Sequence, residues 1–340
     1  MSNQMENSCP MNELRQDAVT GNWVIINPQS DMPSVVSPCP YCPGNEGLTS
    51  PEIIAMRQWG TAPNTPGWNM RLFLSRYPDL NPGGPPNRRA EGMYNEMDGI
   101  GVQEILVETP DHQLRFAQFA PEHIEQILRI YQQRIQWLKK DGRFRYILVY
   151  KNHGPLAGAP YDHSHSVIMA SPITPRRIKE EFRGAKEYYN FKERCVYCDI
   201  VRQEQAADKR VVEENRYFIA IVPFALRYPY EVWIIPKEHE TFYEDSRQDF
   251  TALAQMLKQT LSRMDKLLGN PCFNFAVHGG PNMASSRLGT YWSTVNSDYH
   301  WHIEIAPKLV HPSGTERNAV FSVVHLCPEE AARQLRTVNL

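Results

Sequence analysis

His163 and His165 stand two residues apart, between the apolar runs 147–150 and 167–169. These flanking runs indicate a β-strand, and alternate side chains of a strand point to the same side. The two imidazoles are therefore predicted to share one face, where one can bind a metal while the other reacts. The alternative is a pair of unrelated polar histidines on a surface loop, which is the better interpretation of a His-x-His motif that nothing else supports.

Four of the seven cysteines form two Cys-x-x-Cys pairs, Cys39 with Cys42 and Cys195 with Cys198. In a reducing compartment such pairs bind metal more often than they form disulfides. A thioredoxin-like redox pair is the alternative interpretation. It fits poorly, because Cys42 is followed by the turn-forming residues 43–45 rather than by a helix.

The chain carries this pattern twice, in the same order along each half. Each half offers two thiolates and two imidazoles, a ligand set suited to tetrahedral zinc. We therefore predict two structural zinc sites. The first set is Cys39, Cys42, His112 and His163, and the second is Cys195, Cys198, His239 and His300.

The elements that position these ligands follow the same division. Each half is predicted to run strand, strand, helix, strand, strand, which indicates an α+β fold with mostly antiparallel sheets. We place the halves at residues 12–175 and 190–325, with the charged segment 172–193 connecting them, and long loops at 28–49 and 61–86. The predicted strands are 101–108, 145–150, 217–222, 231–235, 273–277 and 300–305, and the predicted helices are 121–140 and 247–268.

Composition narrows the class of protein. The 340 residues are 41% hydrophobic and 22% charged, with a formal net charge of −2. There is no basic excess that would favour nucleic-acid binding. No apolar run approaches the roughly 18 residues that span a bilayer, and the polar N-terminus does not read as a signal peptide. We expect a cytoplasmic protein with neither a nucleic-acid nor a membrane partner.

Several motifs together resemble the galactose-1-phosphate uridylyltransferase family, a branch of the histidine-triad superfamily. The resemblance spans roughly residues 12–310 and implies two histidine-triad-like halves in one zinc-stabilised subunit. It also implies a homodimer whose sites borrow residues across the interface. The motifs are Gln16–Ile26, Cys39–Glu46, Glu108–His112, Lys151–Gly154, His163–Ser166 and His302–Glu304.

The resemblance implies a covalent mechanism. His165 corresponds to the family nucleophile, which attacks the α-phosphorus of a nucleoside diphosphate sugar and holds the nucleotidyl group until a second acceptor collects it. Its other ring nitrogen is expected to donate to the carbonyl of His163, which the first zinc would fix in place. Asn152 matches a family position beside the reacting phosphate. The resemblance also implies substrate contacts from Ser75, Arg76, Tyr77, Ser166, His302 and Glu304.

The second metal has two family precedents. Plant-type relatives, which act as ADP-sugar phosphorylases, carry a zinc site like Cys195, Cys198, His239 and His300. Enterobacterial-type uridylyltransferases instead use a glutamate and three histidines, positions that correspond to Glu181, His278 and His302, with Glu304 replacing the last. The two Cys-x-x-Cys pairs favour the first arrangement, and His278, His302 and Glu304 are then ordinary polar or supporting residues.

Several positions that touch phosphate in the family are altered here. A glutamine is replaced by Val167, a serine by Pro160, and two arginines by Gln29 and Met32, while the loop 74–78 lacks the family asparagine. We therefore predict a nucleotidyltransferase acting through His165 with altered substrate specificity; uridylyl transfer to galactose-1-phosphate is the most economical named activity. The alternatives are a nucleotide-sugar phosphorylase or nucleotide hydrolase of the same family and, in another class, a non-catalytic nucleotide-binding zinc protein.

Overall fold

The computed structural model describes residues 12–28, 37–285, 292–309 and 323–340. The family-arginine positions Gln29 and Met32 lie outside these ranges. Within them the strands are β1 Glu13–Gln16, β2 Trp23–Ile26, β3 Glu52–Arg57, β4 Trp68–Leu74, β5 Arg89–Glu91, β6 Tyr94–Asp98, β7 Val102–Val107, β8 Tyr146–His153, β9 His165–Ser171, β10 Val211–Glu214, β11 Phe218–Ile221, β12 Val232–Pro236, β13 Cys272–His278 and β14 His302–Lys308. The α-helices are α1 Pro121–Leu138, α2 Arg176–Lys192, α3 Val196–Ala207, α4 Phe250–Leu268, α5 Val295–Asp298 and α6 Pro328–Arg336.

One large sheet runs through most of the chain. Its ten strands have the order β10-β11-β12-β14-β13-β8-β9-β7-β4-β3, and the paired neighbours are antiparallel. The β13–β8 pair joins the earlier strands to the later ones. A second, four-stranded antiparallel sheet has the order β2-β1-β6-β5. The predicted α+β class with mostly antiparallel sheets is confirmed.

The two faces of the large sheet are covered differently. Helices α1 and α4 bury apolar stripes on one face, in a core that includes Leu128, Leu257 and Ile168. On the other face, α2 covers β13 and β14 through Glu181, which contacts His278 and His302, and its Phe182 reaches Tyr146 at the start of β8. Helix α3 packs against β10, β11 and β12 on this face through Val201. The earlier strands lack an equivalent helix among the described residues, and a cavity lies over them instead. This difference determines what surrounds each His-x-His motif.

The charged connecting segment 172–193, for which no element was predicted, contains helix α2, whose buried side chains include Ile178 and Phe182 at helical spacing. One expectation about local structure was wrong. The predicted loop 61–86 contains strand β4, whose buried side chains are apolar except for Arg71, which is itself fully buried. The half boundaries remain predictions. None of the helices in the described ranges has the length and apolar character needed to cross a bilayer.

Candidate functional site

The first predicted ligand set converges just before the start of β9. The potential ligand atoms of Cys39, Cys42, His112 and His163 all lie within 4.8 Å of one another. Cys42 Sγ lies 3.3 Å from His112 Nδ1 and 3.6 Å from His163 Nδ1. Sulfur and nitrogen ligands at usual zinc bond lengths and a tetrahedral angle are about 3.6 Å apart. The donor set and its spacing therefore fit a tetrahedral zinc ion.

The orientation of His163 supports the same assignment. Its Nε2–H donates to the carbonyl oxygen of Thr109 over 2.7 Å, which leaves the Nδ1 lone pair facing the two sulfurs. Metal-bound histidines commonly use the second ring nitrogen in this way, because the bond fixes the tautomer and the ring orientation. His163 is also fully buried.

The second predicted set converges in the same manner. Cys195, Cys198, His239 and His300 place their ligand atoms within 4.8 Å of one another, with Cys198 Sγ 3.4 Å from His239 Nδ1 and 3.7 Å from His300 Nδ1. Hydrogen bonding from Cys195, followed by that from the two histidines, lowers the pKa of Cys198 to about 3. A thiolate therefore faces two imidazoles, a donor set that suits a soft divalent cation.

His165 has the geometry of a neutral nucleophile. Its Nδ1–H donates to the carbonyl oxygen of His163 over 2.7 Å, as the family resemblance implied. The ring packs against Tyr41, with a centroid separation of 5.0 Å. Burial, reinforced by the positive charge of Lys151, lowers the pKa of His165 to about 4. Nε2 thus carries a lone pair at neutral pH, the form required for attack on phosphorus.

The reactive edge of His165 faces a cavity of about 340 Å³. The predicted substrate residues Ser75, Arg76 and Tyr77 line this cavity, as does Asn152. The β8–β9 register pairs Tyr150 with Val167, and two further residues along the strands bring Asn152 opposite His165. The altered positions Val167 and Pro160 line the same cavity, so both altered side chains face it.

A buried ion pair lies behind β9, on the side of the sheet opposite the cavity. Lys151 Nζ donates to Glu108 Oε2 over 2.7 Å, to Ser164 Oγ over 2.9 Å and to the carbonyl oxygen of His165 over 2.9 Å. Burial disfavours ionisation of Glu108, but the Lys151 charge and hydrogen bonds from Lys151, Ser164 and Ser166 outweigh it and lower the pKa of Glu108. The backbone of His165 is therefore fixed by a charge pair whose two side chains are 0–1% exposed.

The structure does not bring Ser166 to the cavity. Strand alternation turns Ser166 away from the face that His165 and Val167 share. Its hydroxyl instead contacts Tyr131 over 2.6 Å and donates to Glu108. The predicted substrate contact is thus corrected to a contact within the buried network.

His302 and Glu304 also lie away from the cavity. His302 repeats the geometry of His165, with Nδ1 3.2 Å from the carbonyl oxygen of His300, but helix α2 covers this face of the sheet. His278 Nδ1 therefore lies 3.0 Å from Glu181 Oε2, and His302 Nε2 lies 3.8 Å from Glu304 Oε1. Within one subunit, the predicted substrate contacts of His302 and Glu304 are corrected to contacts within this buried cluster.

These four residues form a third group that could hold a metal ion. The sequence presented the cysteine-containing set and the Glu181 set as alternatives for the second metal. The structure contains both groups, because the two histidines of the second His-x-His motif belong to different ones. His300 faces the thiols of Cys195 and Cys198, whereas His302 faces Glu181.

The sequence alone predicted no role for three residues of the site, which are Glu108, Lys151 and Asn274. Glu108 and Lys151 stand in the recognised motifs, but only the order β8-β9-β7 shows that they meet behind His165. Asn274, on β13, contacts Asn152 across the strand pair that joins the halves. An isolated sequence gives no signal for Asn274.

Two family models and several known proteins match this chain. The family described as "Galactose-1-phosphate uridyl transferase, C-terminal domain" matches residues 181–314, and the N-terminal domain of a family of unknown function (DUF4931) matches residues 93–171. An ADP-glucose phosphorylase of Arabidopsis thaliana is 30% identical over 352 residues, covering 99% of this chain and 95% of the relative. A galactose-1-phosphate uridylyltransferase of Thermotoga maritima is 30% identical over 341 residues, covering 97% and 99%.

Two solved structures of related proteins also align with this chain. A crystal structure of an Arabidopsis thaliana ADP-glucose phosphorylase with bound ADP-glucose aligns with a TM-score of 0.74 and 29% identity, covering 97% of this chain and all of that one (100%). A uridylyltransferase structure aligns with a TM-score of 0.79 and 28% identity, covering 95% and 97%. The similarity therefore extends over nearly the full length of each chain.

Proposed function

Because the chain belongs to the galactose-1-phosphate uridylyltransferase family and is a nucleotidyltransferase, we propose that it works through a covalent nucleotidyl intermediate on His165. The observation that carries this proposal is the tautomer of His165: Nδ1–H is committed to the carbonyl of His163, and Nε2 faces the cavity. A buried, neutral imidazole of fixed tautomer is suited to nucleophilic attack and subsequent release.

The proposed reaction has two displacement steps. His165 Nε2 attacks the α-phosphorus of a nucleoside diphosphate sugar, a P–N bond forms, and the P–O bond to the bridging oxygen breaks. Sugar-1-phosphate leaves with that oxygen. A phosphate oxygen of the second substrate then attacks the same phosphorus, the new P–O bond forms as the P–N bond breaks, and His165 returns to its neutral state.

We assign Asn152, Ser75, Arg76 and Tyr77 to the bound nucleotide. Asn152 lies opposite His165, where its amide can donate to a non-bridging oxygen of the reacting phosphate. Arg76 carries a positive charge at the rim of the cavity and can pair with phosphate. Support for a nucleotide-sugar substrate comes from the related structure that contains ADP-glucose.

We further propose zinc at both cysteine-containing clusters. The first zinc would hold His163, whose carbonyl orients His165, so its role would be structural. The second would anchor the start of β14 through His300. The cluster of Glu181, His278, His302 and Glu304 is a candidate for an additional divalent metal, because it offers two carboxylates and two imidazoles.

The wider organisation is proposed on the same basis. The strand orders β3-β4-β7-β9-β8 and β10-β11-β12-β14-β13 match position by position, which supports two histidine-triad-like halves in one subunit. We propose that two such subunits form a homodimer and that the protein is cytoplasmic, where its thiol ligands stay reduced.

The acceptor is proposed to differ from that of an ordinary uridylyltransferase. Val167 and Pro160 line the cavity where the family presents hydrogen-bond donors, and neither side chain can donate. A phosphorylase, in which inorganic phosphate collects the nucleotidyl group, is the second candidate. The full-length similarity to an ADP-glucose phosphorylase favours it.

A burst experiment tests the proposal. Metal-replete protein is mixed with UDP-glucose or ADP-glucose without an acceptor, and the released glucose-1-phosphate is measured. We expect one equivalent per site with at least one of the two nucleotide sugars, and none from His165→Asn. His153→Asn is the matched control, because His153 contacts Asn270 outside the cavity, and it should keep the burst. Absence of a burst from folded protein with both nucleotide sugars would overturn the proposal.

A further inference from the structure

Asn152 is held by a second amide that comes from the other half of the chain. Asn274 on β13 pairs directly with Asn152 on β8 in the antiparallel register. Asn274 Nδ2 donates to Asn152 Oδ1 over 2.8 Å. The contact crosses the strand pair that joins the two halves, so it links the later strands to the edge of the cavity.

The hydrogen-bond partners determine which way both amides point. Asn274 Nδ2 also donates to the carbonyl oxygen of Ala157 over 3.0 Å. A carbonyl oxygen only accepts, so the nitrogen of Asn274 must face both Ala157 and Asn152. Asn152 must then present its oxygen to Asn274, which leaves its Nδ2 donor free for the cavity.

The turn that carries Ala157 is itself fixed against β13. Gly154 has φ +78°, and a Cβ atom there would lie 2.3 Å from Cys272 Sγ. The chain can approach β13 this closely because Gly154 has no side chain. The short 3-10 helix Pro155–Ala157 follows immediately, so the Ala157 carbonyl is held at the same strand as Asn274.

We propose that Asn274 is a positioning residue for nucleotidyl transfer: it holds the Asn152 amide with its donor toward the reacting phosphate. This inference rests on the proposed role of Asn152. With the opposite amide orientation, Asn152 would present its carbonyl oxygen to a phosphate oxygen, and a favourable contact would become a repulsive one. The Asn152 amide therefore attracts or repels the phosphate, depending on the orientation in which Asn274 holds it.

Asn274→Asp is the direct test, because it replaces the donor by an acceptor of nearly the same shape. The introduced carboxylate would draw Asn152 Nδ2 toward itself and turn Oδ1 into the cavity. We expect the single-turnover rate constant for nucleotidylation of His165 to fall about 100-fold, the loss that follows removal of one transition-state donor. The half-saturating concentration of nucleotide sugar should change less than threefold.

A double variant separates positioning from a structural effect. In an Asn152→Ala background, Asn274→Asp should lower the rate constant less than threefold further, because no amide remains to be misoriented. Asn69→Asp, the same chemical change at an exposed position of β4, should leave the rate unchanged. A loss smaller than threefold in the single variant, or an equal loss in both backgrounds, would overturn the inference. Failure of the wild-type protein to form the adduct would instead refute the proposed function.

Discussion

Lys151→Met tests the buried charge pair behind His165. The substitution keeps the length of the side chain but removes its charge and three hydrogen bonds, to Glu108, Ser164 and the carbonyl of His165. Because Lys151 is 1% and Glu108 0% exposed, water cannot replace the lost partner. Leaving one member of a buried ion pair without its partner costs about 3–5 kcal/mol.

The expected change in melting temperature follows from the size of the chain. With an unfolding entropy of about 2.1 cal/mol/K per residue, this destabilisation lowers the melting temperature of a 340-residue chain by about 4–7 °C. Adding Glu108→Gln removes the carboxylate charge that Lys151→Met leaves without a partner. The double variant should therefore recover at least about 2 kcal/mol of the loss.

The stability loss caused by Lys151→Met should change with pH in a direction that a simple packing defect would not produce. In the native protein the pKa of Glu108 is lowered, so its contribution to stability is present above the ordinary carboxyl pKa and is lost as pH falls through the folded value. Without Lys151, burial is less opposed and should raise the folded pKa of Glu108 above its ordinary value. In this variant, the contribution of Glu108 to stability is then present at low pH and is lost as the pH rises through the pKa of Glu108 in the folded protein.

The penalty of Lys151→Met should therefore be larger at pH 8 than at pH 5. Urea unfolding of the wild type, the single variant and the double variant at both pH values measures it. A penalty below about 1 kcal/mol at pH 8, or a double variant as unstable as the single one, would contradict the assignment of a buried, ionised pair.

Further substitutions probe the cavity and the metal clusters. Val167→Gln should raise uridylyl transfer about 10-fold or more, because one hydrogen bond to a charged group contributes about 1.5–3 kcal/mol; an unchanged rate would show a pocket reshaped more widely. Cys39→Ala should reduce bound zinc from two ions to one per chain and lower the melting temperature, whereas Cys327→Ala, at an exposed thiol, should do neither. Ser166→Ala should lower stability by about 1–3 kcal/mol while the half-saturating concentration of nucleotide sugar stays within twofold; a larger change in that concentration would restore Ser166 to the substrate site.

The two ligand sets could be predicted because the chain repeats one ligand order, whereas the role of His165 as nucleophile comes from the family resemblance and stays a prediction. Two-residue spacing in a strand puts His163 and His165 on one face, and the repeated Cys-x-x-Cys and His-x-His order identifies which residues meet. The turn of Ser166 away from that face follows from the same alternation. The family resemblance implies a substrate contact for Ser166, which the strand period contradicts.

The remaining features depend on strand order and helix placement. Glu108 and Lys151 meet only because β9 lies between β7 and β8, and charges so far apart in sequence give no sign that they will be buried together. Likewise, the environment of His302 depends on α2 covering the later strands and bringing Glu181 to it. No periodicity within α2 indicates which part of the sheet it will cover.

The most direct test of the account is to locate the covalent intermediate. Protein incubated with UDP-glucose or ADP-glucose without an acceptor is digested at neutral pH, and the peptides are mapped by mass spectrometry. We predict a nucleoside monophosphate on His165, which is lost when the acceptor is added and is absent from His165→Asn. A nucleotidyl group on any other residue, or unmodified His165 in protein that releases glucose-1-phosphate, would contradict it.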